Sequence, residues 1–528
     1  MRAFSQLLDD LTYTRSRNAK LRLIGDYLTS TPDPDRGIAL AALTGEIDIP
    51  AIKPSVIRAL AEQRIDPVLY RMSRDYVGDS AETLSLLWDD AADDRPMIDD
   101  GVWRLGEAVT KLQAASRSDA PALLADMLSH LDPSGRYALI KVATGALRVG
   151  VSARLAKQAL ADAFGLDVDA VEEVWHALSP PYEELFAWAE GRSEAPDVAN
   201  MPVFRPFMLA HPLEDDKKID LADYAAEWKW DGIRVQLVRA GGETRLYSRT
   251  GDDIGGSFPD VLEAFEVDGV VDGELLVRGE EQGGRAGSFN ALQQRLGRKT
   301  VSKKMRETYP AFIRLYDLLI EGQKDLRDLG WEDRRARLET FIGKLPDDRF
   351  DLSDIVEADS LDALDQLREE ARETGVEGLM LKRRDSPYVA GRRVGLWYKW
   401  KRDPLNADCV LMYAQRGSGK RSSYFSDYTF GCWTGDGQLL PVGKAYFGFT
   451  DEELKWLDRF VRRNTIGRFG PVREVEKSLV VEVAFDSIHR STRHKSGLAM
   501  RFPRISRIRE DKPAEEADTI AGLEKLIG

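Results

Sequence analysis

The chain has 528 residues, 43% of them hydrophobic and 31% charged, which predicts two to four domains with ample apolar material for their cores. Its net charge of −14, taken over the whole chain, argues against a nucleic-acid partner. Two cysteines, Cys409 and Cys432, fit a reducing compartment and exclude a four-cysteine zinc site, and no apolar run is long enough for a membrane helix. We therefore expect a cytoplasmic protein without membrane contact or signal peptide.

Residues 1 to about 190 are predicted to be helical, because Leu, Ala and Ile recur at spacings of three and four among good helix formers. Segments rich in Asp and Pro, such as residues 31–35, separate the helices, and one predicted helix spans residues 153–164. No internal repeat is apparent. A polar linker over residues 190–196 ends the region, so we predict an all-α N-terminal domain over residues 1–195.

In residues 203–402, strand-like runs alternate with helices, one of them predicted over residues 360–374, and this pattern indicates an α+β domain with antiparallel sheets. Lys229 opens a Lys-x-Asp-Gly-x-Arg motif that ends at Arg234. The pKa of a lysine, about 10.4, falls readily on desolvation or near other cations. The neutral amine can then attack the α-phosphate of a nucleotide. The alternative is a surface lysine before an Asp-Gly turn.

Residues 403–528 are rich in strands and glycine, with a helix predicted over residues 451–463, which fits a five-stranded OB barrel. Residues 403–512 carry 19 Lys and Arg against 14 Asp and Glu, a net charge of +5 in an acidic chain. Local charge predicts a nucleic-acid partner better than the global sum does. This segment is therefore the expected basic surface, although a solvated face is the commoner role of basic residues.

Further motifs follow Lys229 in a fixed order along the chain. They are Tyr247-Ser248-Arg249, a buried strand with Glu274, an apolar run with Tyr316 that Arg314 interrupts, a strand that begins at Glu377, the segment Trp397–Lys401, and a basic segment from Arg501 to Lys512. Together they resemble the six nucleotidyltransferase motifs of ATP-dependent DNA ligases, and the large eukaryotic and archaeal ligases in particular. The resemblance covers nearly the whole chain.

This resemblance implies an α+β adenylation domain between a helical DNA-binding domain and an OB-fold domain. It implies that ATP and Mg²⁺, with Mn²⁺ as a substitute, serve a reaction in which Lys229 becomes a lysyl-AMP. Glu274 and Glu377 are the expected metal ligands. The expected ATP-binding residues are Glu227 at the adenine edge, Tyr316 on the adenine face, and Arg234, Arg249, Glu274, Arg393 or its neighbour Arg392, Lys399, Lys401, Arg501 and Lys512. Arg504 either joins this set or braces its own motif.

Structural alternatives exist for several of these residues. Glu227 could be a solvated strand end, Tyr316 a core aromatic, and each of Glu274 and Glu377 an ordinary partner of a nearby lysine. Lys399, Lys401 and a divalent metal are expected to lower the pKa of Lys229. The five histidines have no metal-ligand spacing, so none is assigned to metal or catalysis.

The expected partner is a nicked DNA duplex, sealed by a monomer that encircles it. DNA repair is the favoured role, with replication or recombination as alternatives. Rival functions are an RNA ligase, an mRNA capping enzyme, or a scaffold that binds nicks without catalysis. A capping enzyme would lack the helical N-terminal domain, an RNA ligase would usually lack the basic C-terminal motif, and a scaffold would have lost the lysine or a carboxylate.

Overall fold

The computed structural model describes residues 1–77, 79–88, 103–214, 219–278, 292–298, 300–371, 376–417, 423–492 and 494–527. The chain forms two compact units, Met1–Leu367 with Gly375–Trp400 and Arg368–Thr374 with Lys401–Gly528. The first unit thus holds both the predicted helical region and most of the predicted α+β region. Domain boundaries at residues 195, 203 and 402 stay predictions.

The described part of residues 1–189 is helical, with apolar side chains buried in one core. None of the described helices is both long and apolar enough to cross a membrane. The helix predicted over residues 153–164 is confirmed. The helices are α1 (Arg2–Tyr13), α2 (Arg17–Ser30), α3 (Asp35–Thr44), α4 (Pro54–Arg64), α5 (Pro67–Val77), α6 (Ser80–Leu87), α7 (Leu105–Ala114), α8 (Ala120–His130), α9 (Pro133–Ala143), α10 (Ala153–Phe164), α11 (Val168–Trp175) and α12 (Glu183–Ala189).

The sequence shows no internal repeat, but the backbone geometry of the loop that follows α3 occurs again after α9. Gly45 and Gly145 adopt left-handed φ angles of 84° and 62°, which glycine reaches without strain. In each copy the following amide donates to a carbonyl in the last helical turn: Glu46 to Ala41 at 2.8 Å, and Ala146 to Lys141 at 2.9 Å. The shared sequence is little more than Thr-Gly, so the repeat is visible mainly as backbone geometry.

The two copies of this loop carry opposite charges at corresponding exposed positions, Asp48 in the first and Arg148 in the second. The following residues, Ile49 and Val149, are buried in both. Helices from the two ends of this region also pack together, since α10 contacts α2 and α3 while α1 contacts α9. The loops therefore share a shape and differ in charge.

The rest of the first unit contains two main sheets, ordered β10-β3-β11-β13-β2 and β5-β4-β6-β7-β8, with β9 added to β7. Side chains from β3 and β13 share a buried cluster with side chains from β4, β6 and β7, so the two sheets pack on each other. The strands are β1 (Met208–Leu209), β2 (His211–Pro212), β3 (Tyr224–Trp230), β4 (Ile233–Ala240), β5 (Glu243–Ser248), β6 (Gly269–Val277), β7 (Ala311–Glu321), β8 (Lys324–Asp325), β9 (Phe350–Leu352), β10 (Ile355–Val356), β11 (Val376–Arg383), β12 (Gly391–Arg392) and β13 (Trp397–Lys401).

Four helices accompany these strands: α13 (Pro259–Ala264), α14 (Lys303–Thr308), α15 (Trp331–Phe341) and α16 (Leu361–Glu370). Helix α15 packs against β7, where Leu338 and Phe341 are buried. Helix α16 lies where a helix was predicted over residues 360–374, and residues 372–374 of that prediction lie outside the described residues.

The second unit is built on β14, which pairs with β19 along its first half, with β18 along its second half, and with β15 on the other edge. The helix predicted over residues 451–463 is confirmed and begins with a capping box between Thr450 and Glu453. The elements are β14 (Leu405–Arg416), β15 (Phe425–Trp433), β16 (Leu439–Ala445), α17 (Asp451–Arg463), β17 (Thr465–Phe469), β18 (Val472–Val475), β19 (Val480–Phe485), β20 (Ser487–Arg490), β21 (Leu498–Arg501), β22 (Arg504–Arg509) and α18 (Ile520–Glu524).

Candidate active site

Lys229 lies one residue before the end of β3, at the turn into β4. The turn needs a glycine, because a Cβ atom at Gly232 would lie 2.5 Å from the carbonyl oxygen of Leu275 and 2.8 Å from Cγ of Glu274. The turn therefore passes directly over β6. This close approach brings the end of β3, with Lys229, next to the strand that carries Glu274.

Glu377 reaches Lys229 through an irregularity in the sheet. Strand β11 pairs with β3, and its register shifts between Val376 and Gly378, which stand opposite Trp230 and Lys229. Glu377 lies within that shift, and Nζ of Lys229 donates a hydrogen bond to Oε2 of Glu377. A bulge commonly redirects a side chain in this way.

Glu274 completes a group of two carboxylates and one amine. It lies on β6 opposite Arg234 of β4 and Arg314 of β7. Burial raises the pKa of the Glu274 carboxyl to about 8, Lys229 opposes that rise, and repulsion from Glu377 adds to it. A carboxyl with this pKa is largely protonated at neutral pH unless a cation joins it.

The two carboxylates fit a divalent cation that keeps part of its water shell. Mg²⁺ in nucleotide sites usually takes one or two carboxylates together with waters and substrate phosphates. The repulsion between Glu274 and Glu377 is the electrostatic feature that such a cation would relieve. Among the described residues, His, Cys, Asp and Glu form no group of three or more that could hold a metal ion by themselves.

Glu227 lies two residues before Lys229 on β3 and is buried. The alternative prediction, that Glu227 is a solvated residue at the end of a strand, is therefore wrong. Only 1% of its surface is exposed. Its Oε2 accepts a hydrogen bond from Lys382 Nζ at 3.1 Å, and Arg335 Nη1 lies 3.8 Å from its Oε1. Burial raises the pKa of Glu227, and the cations Lys382 and Arg335 lower it. Burial also lowers the pKa of Lys382, against the attraction of Glu227.

Arg234, expected at the ribose or phosphates, has protein partners for much of its guanidinium. It donates to the Met208 carbonyl at 2.7 Å and to Asp272 at 3.0 Å, and its Cζ lies 4.2 Å from the centre of the Phe207 ring. Its buried Nε has no hydrogen-bond partner. Asp272, which is 0% exposed, also accepts hydrogen bonds from Gln236 and Tyr388.

Tyr316 and Arg249 occupy different surroundings. The Tyr316 ring centre lies 4.5 Å from Nζ of Lys382 and 5.9 Å from Cζ of Arg234, so the ring lies beside the ion-paired residues of the site. Arg249 is exposed in the turn after β5. Arg314 forms a two-pronged ion pair with Asp351, at 2.8 and 2.6 Å.

Lys399 lies in the sheet that contains β3, whereas Arg392 and Arg393 lie on or beside a separate two-stranded sheet of β1 and β12. Lys399 is on β13, opposite Pro212 of β2. Arg392 ends β12 and pairs in register with Leu209, whereas Arg393 follows the strand, and both arginines are exposed. Their geometry therefore leaves both as candidates for the nucleotide contact.

The remaining expected ATP-binding residues belong to the second unit. Lys401 and Arg504 both approach Asp486, at 3.4 and 3.3 Å. Lys512 donates to Asp408 at 2.8 Å. The guanidinium carbon of Arg501, on β21, lies 5.1 Å from the centre of the Phe502 ring.

Two residues that the sequence analysis did not single out are central to this site. Lys382 closes the buried pair with Glu227, and Asp272 holds Arg234. Both stand inside quoted motifs, five residues after Glu377 and two before Glu274. An ionisable residue inside a strand of otherwise buried side chains was the signal available.

Comparison with protein families places two models on the chain. The ATP dependent DNA ligase domain matches residues 207–401, and the ATP dependent DNA ligase C terminal region matches residues 421–512. The first match spans the site around Lys229, and the second spans most of the second unit.

Relatives of similar length extend the match to the whole chain. A probable DNA ligase of Koribacter versatilis is 32% identical over 570 residues, covering 100% of this chain and 96% of its own. DNA ligase 1 of Korarchaeum cryptofilum is 32% identical over 543 residues, covering 100% and 98%. A solved structure named Pmar-Lig_PreS3 shares the fold with a TM-score of 0.58 at 16% identity, covering 96% of this chain and 99% of its own.

Proposed function

The chain belongs to the family of ATP-dependent DNA ligases, and we propose that Lys229 is the residue that carries AMP during its reaction. A member of this family uses ATP to seal a break between a 3′-hydroxyl and a 5′-phosphate in duplex DNA. The observation that carries the assignment of Lys229 is its position between Glu377, which accepts its hydrogen bond, and Glu274.

The chemistry assigned to Lys229 has three steps. Its Nζ attacks the α-phosphorus of ATP, the bond to the β-phosphate oxygen breaks, and pyrophosphate leaves with the electron pair. AMP then passes from the lysine to the 5′-phosphate at the nick. The 3′-hydroxyl attacks that phosphate and AMP leaves. Glu377 orients the amine and accepts a hydrogen bond from it.

We assign the nucleotide contacts as follows. Tyr316 stacks on the adenine, with Glu227 at the base edge, where Lys382 holds it by a hydrogen bond. Arginine forks suit ribose and phosphate oxygens, so Arg234, Arg249 and Arg393, or Arg392, contact that part of ATP. Glu274 contacts the ribose. Lys399 and Lys401 add positive charge, and Arg501 and Lys512 orient the pyrophosphate.

Glu274 and Glu377 would hold Mg²⁺, or Mn²⁺ in its place. When bound, the ion supplies positive charge that stabilises negative charge on phosphate oxygens. The carboxylates can bind the ion only when they are ionised. Because burial raises the pKa of Glu274, this carboxyl must lose its proton when the ion binds.

We also propose how the regions divide the work. Residues 1–195 form an all-α DNA-binding domain, residues 203–402 the adenylation domain, and residues 403–528 an OB fold. Strand β14 pairs with three other strands along its length, and this pairing supports the OB fold because the long first strand of a small barrel contacts several others. The protein acts on nicked duplex DNA as a monomer that encircles it, in the cytoplasm and in repair rather than replication or recombination.

Replacement of Lys229 by arginine tests the assignment. Arginine keeps the charge but cannot supply a neutral nucleophile at accessible pH. We expect Lys229→Arg to abolish transfer of label from α-labelled ATP to the protein, a loss of at least about a thousandfold, which is about 4 kcal/mol. Sealing of a nick that already carries AMP should persist.

The matched control is Lys324→Arg on the exposed strand β8, which should adenylate normally. Substantial labelling of Lys229→Arg would remove Lys229 from its role. Sealing compared on DNA and RNA nicks with ATP, GTP, dATP and NAD would separate a DNA ligase from an RNA ligase or capping enzyme. A protein that binds nicks but never accepts label would be a scaffold.

A further inference from the structure

Three arginines lie close together at one edge of the sheet in the second unit. Arg468 on β17 stands directly opposite Arg473 on β18, and Arg416 ends β14, which pairs with β18. The guanidinium carbons of Arg416 and Arg473 each lie 5.9 Å from the centre of the buried Phe425 ring. We refer to Arg416, Arg468 and Arg473 as the hairpin arginine cluster.

The positive charge of this cluster is not balanced by carboxylates. In the part of the chain that the structure describes, no Asp or Glu forms an ion pair with any of its three members, and Arg473 donates only to the carbonyl of Gly470, at 3.1 Å. Burial lowers the pKa of Arg473, and repulsion from Arg468 and Arg416 lowers it further. The three charges therefore repel one another at short range.

Arg462 shows how an arginine on the same surface is stabilised when its role is structural. Its Cζ lies 5.4 Å from the centre of the same Phe425 ring, and its Nε donates to Asp458, four residues earlier on α17, at 2.7 Å. Like charges directly opposite each other destabilise a hairpin. The arrangement of Arg468 opposite Arg473 is thus unfavourable for the isolated protein, and an external anion would relieve the repulsion.

We infer that the hairpin arginine cluster binds phosphates of the DNA duplex on which this ligase acts, an inference that rests on the proposed function. The charges are spread over three strands at an open sheet edge, which suits a chain of phosphates better than a single nucleotide. Arginine forks match phosphate oxygens. Phe469 and Ile466 on the same hairpin are 62% and 65% exposed, and such exposed apolar side chains are typical of contact surfaces.

The first experiment measures binding of the full-length protein to a nicked duplex over a range of salt concentrations. Each lost phosphate contact should reduce the log–log slope by about 0.9. We expect Arg416→Ala, Arg468→Ala and Arg473→Ala together to reduce the slope by roughly two to three. Lys324→Ala on β8 removes one positive charge from the first unit and should leave the slope unchanged.

The second experiment separates binding from folding through Arg468→Glu. This substitution places a carboxylate opposite Arg473, so it should raise the melting temperature while it weakens DNA binding at least tenfold. A cluster with a structural role only would lose stability and binding together. An unchanged salt slope in the triple variant, or a lower melting temperature in Arg468→Glu, overturns the inference.

Self-adenylation distinguishes failure of this inference from failure of the proposed function. The triple variant should accept label from α-labelled ATP at the wild-type rate. If the wild type does not adenylate, the proposed function itself fails. If it adenylates and the variant binds DNA like the wild type, only the assignment of the cluster fails.

Discussion

Glu274 holds its proton more tightly in the folded chain than its ordinary pKa of 4.5 would give, because burial raises that pKa to about 8. The folded state therefore binds more protons than the unfolded state between these pH values, and stability falls as pH rises through that window. The contribution of Glu274 to the free energy of unfolding is fully present below pH 4.5 and is lost as the pH rises to about 8.

Replacement of Glu274 by glutamine should remove this pH dependence. We expect the melting temperature of the wild type to fall between pH 5 and pH 8 relative to Glu274→Gln, and Mg²⁺ added at pH 8 to recover it in the wild type only. Differential scanning calorimetry at both pH values measures this. Parallel pH profiles of the two proteins would show that Glu274 is not the group responsible.

Among the residues of the site, Lys382 is the one whose replacement should lower the free energy of unfolding most. Both members of its pair with Glu227 are almost fully buried, at 2% and 2% side-chain exposure. Removing one partner of a buried pair costs about 3–5 kcal/mol, because the other charge is left unpaired. We expect Lys382→Met to lower stability by that amount in urea unfolding, and Lys382→Met with Glu227→Gln to recover part of it.

The control for this change is Lys303→Met, whose side chain is 89% exposed and which should have little effect. A loss for Lys382→Met no larger than for Lys303→Met would mean that the pair with Glu227 contributes nothing measurable.

At this scale the sequence could indicate Lys229, Glu274 and Glu377, because each stands in a short motif whose residue types suit one chemistry. It could not indicate that Glu227 pairs with Lys382. These residues are 155 positions apart, and only the pairing of β3 with β11 brings them together.

Among the structural elements, the loop repeated after α3 and α9 gives a test of the DNA-binding role proposed for the helical region. Arg148 is exposed in the second copy, where Asp48 is exposed in the first. A phosphate attracts the arginine and repels the aspartate. The second copy is therefore the one expected to contact DNA.

Salt titrations of nicked-duplex binding should separate the two copies. We expect Arg148→Ala to reduce the log–log slope by about 0.9, the value of one phosphate contact. Asp48→Ala, the control at the corresponding position, should leave the slope unchanged. Equal effects of both changes, or none from Arg148→Ala, would place the DNA elsewhere.

Elements with strong local signals could be predicted, and the repeat could not. Helices α10 and α17 follow from apolar spacing and from the Ser152 and Thr450 caps. The repeated loop is defined by two glycines in the left-handed conformation and by backbone hydrogen bonds, which many sequences can form.

For the whole molecule, the role proposed for the basic C-terminal motif predicts that its residues affect one step of the reaction more than another. Pyrophosphate leaves in the first step only, and stabilisation of such charge is worth a few kcal/mol. We expect Arg501→Ala and Lys512→Ala to slow self-adenylation at least about a hundredfold, or 2.7 kcal/mol, more than sealing of a nick that already carries AMP.

Single-turnover kinetics of the first and third steps measure this difference. Lys512 is paired with Asp408, so Asp408→Asn serves as the control for loss of the ion pairs that Asp408 forms with Lys512 and Arg509. Equal slowing of both steps would assign Arg501 and Lys512 to structure or DNA binding. Arg504 shares Asp486 with Lys401 and is the residue expected to brace its own motif.

The assignment of the helical region and the adjoining strands to one compact unit could not be predicted from the sequence. A polar linker over residues 190–196 suggests a boundary, but Glu173 of α11 forms an ion pair with Arg327, and His176 packs on Tyr247 with ring centres 4.9 Å apart. These contacts join the helical region to the strands of the first unit. Such long-range contacts leave no local pattern in the sequence.

The packing of α2 on α10 and of α1 on α9 also has a consequence for how this region folds. Helix α2 meets α10 so closely that a Cβ atom at Gly25 would lie 3.2 Å from Cβ of Ala163, and α1 lies against α9. During translation, the surfaces of α1 and α2 that face these partners stay uncovered until α9 and α10 have been synthesised. We therefore expect the helical region to fold as one cooperative unit rather than helix by helix.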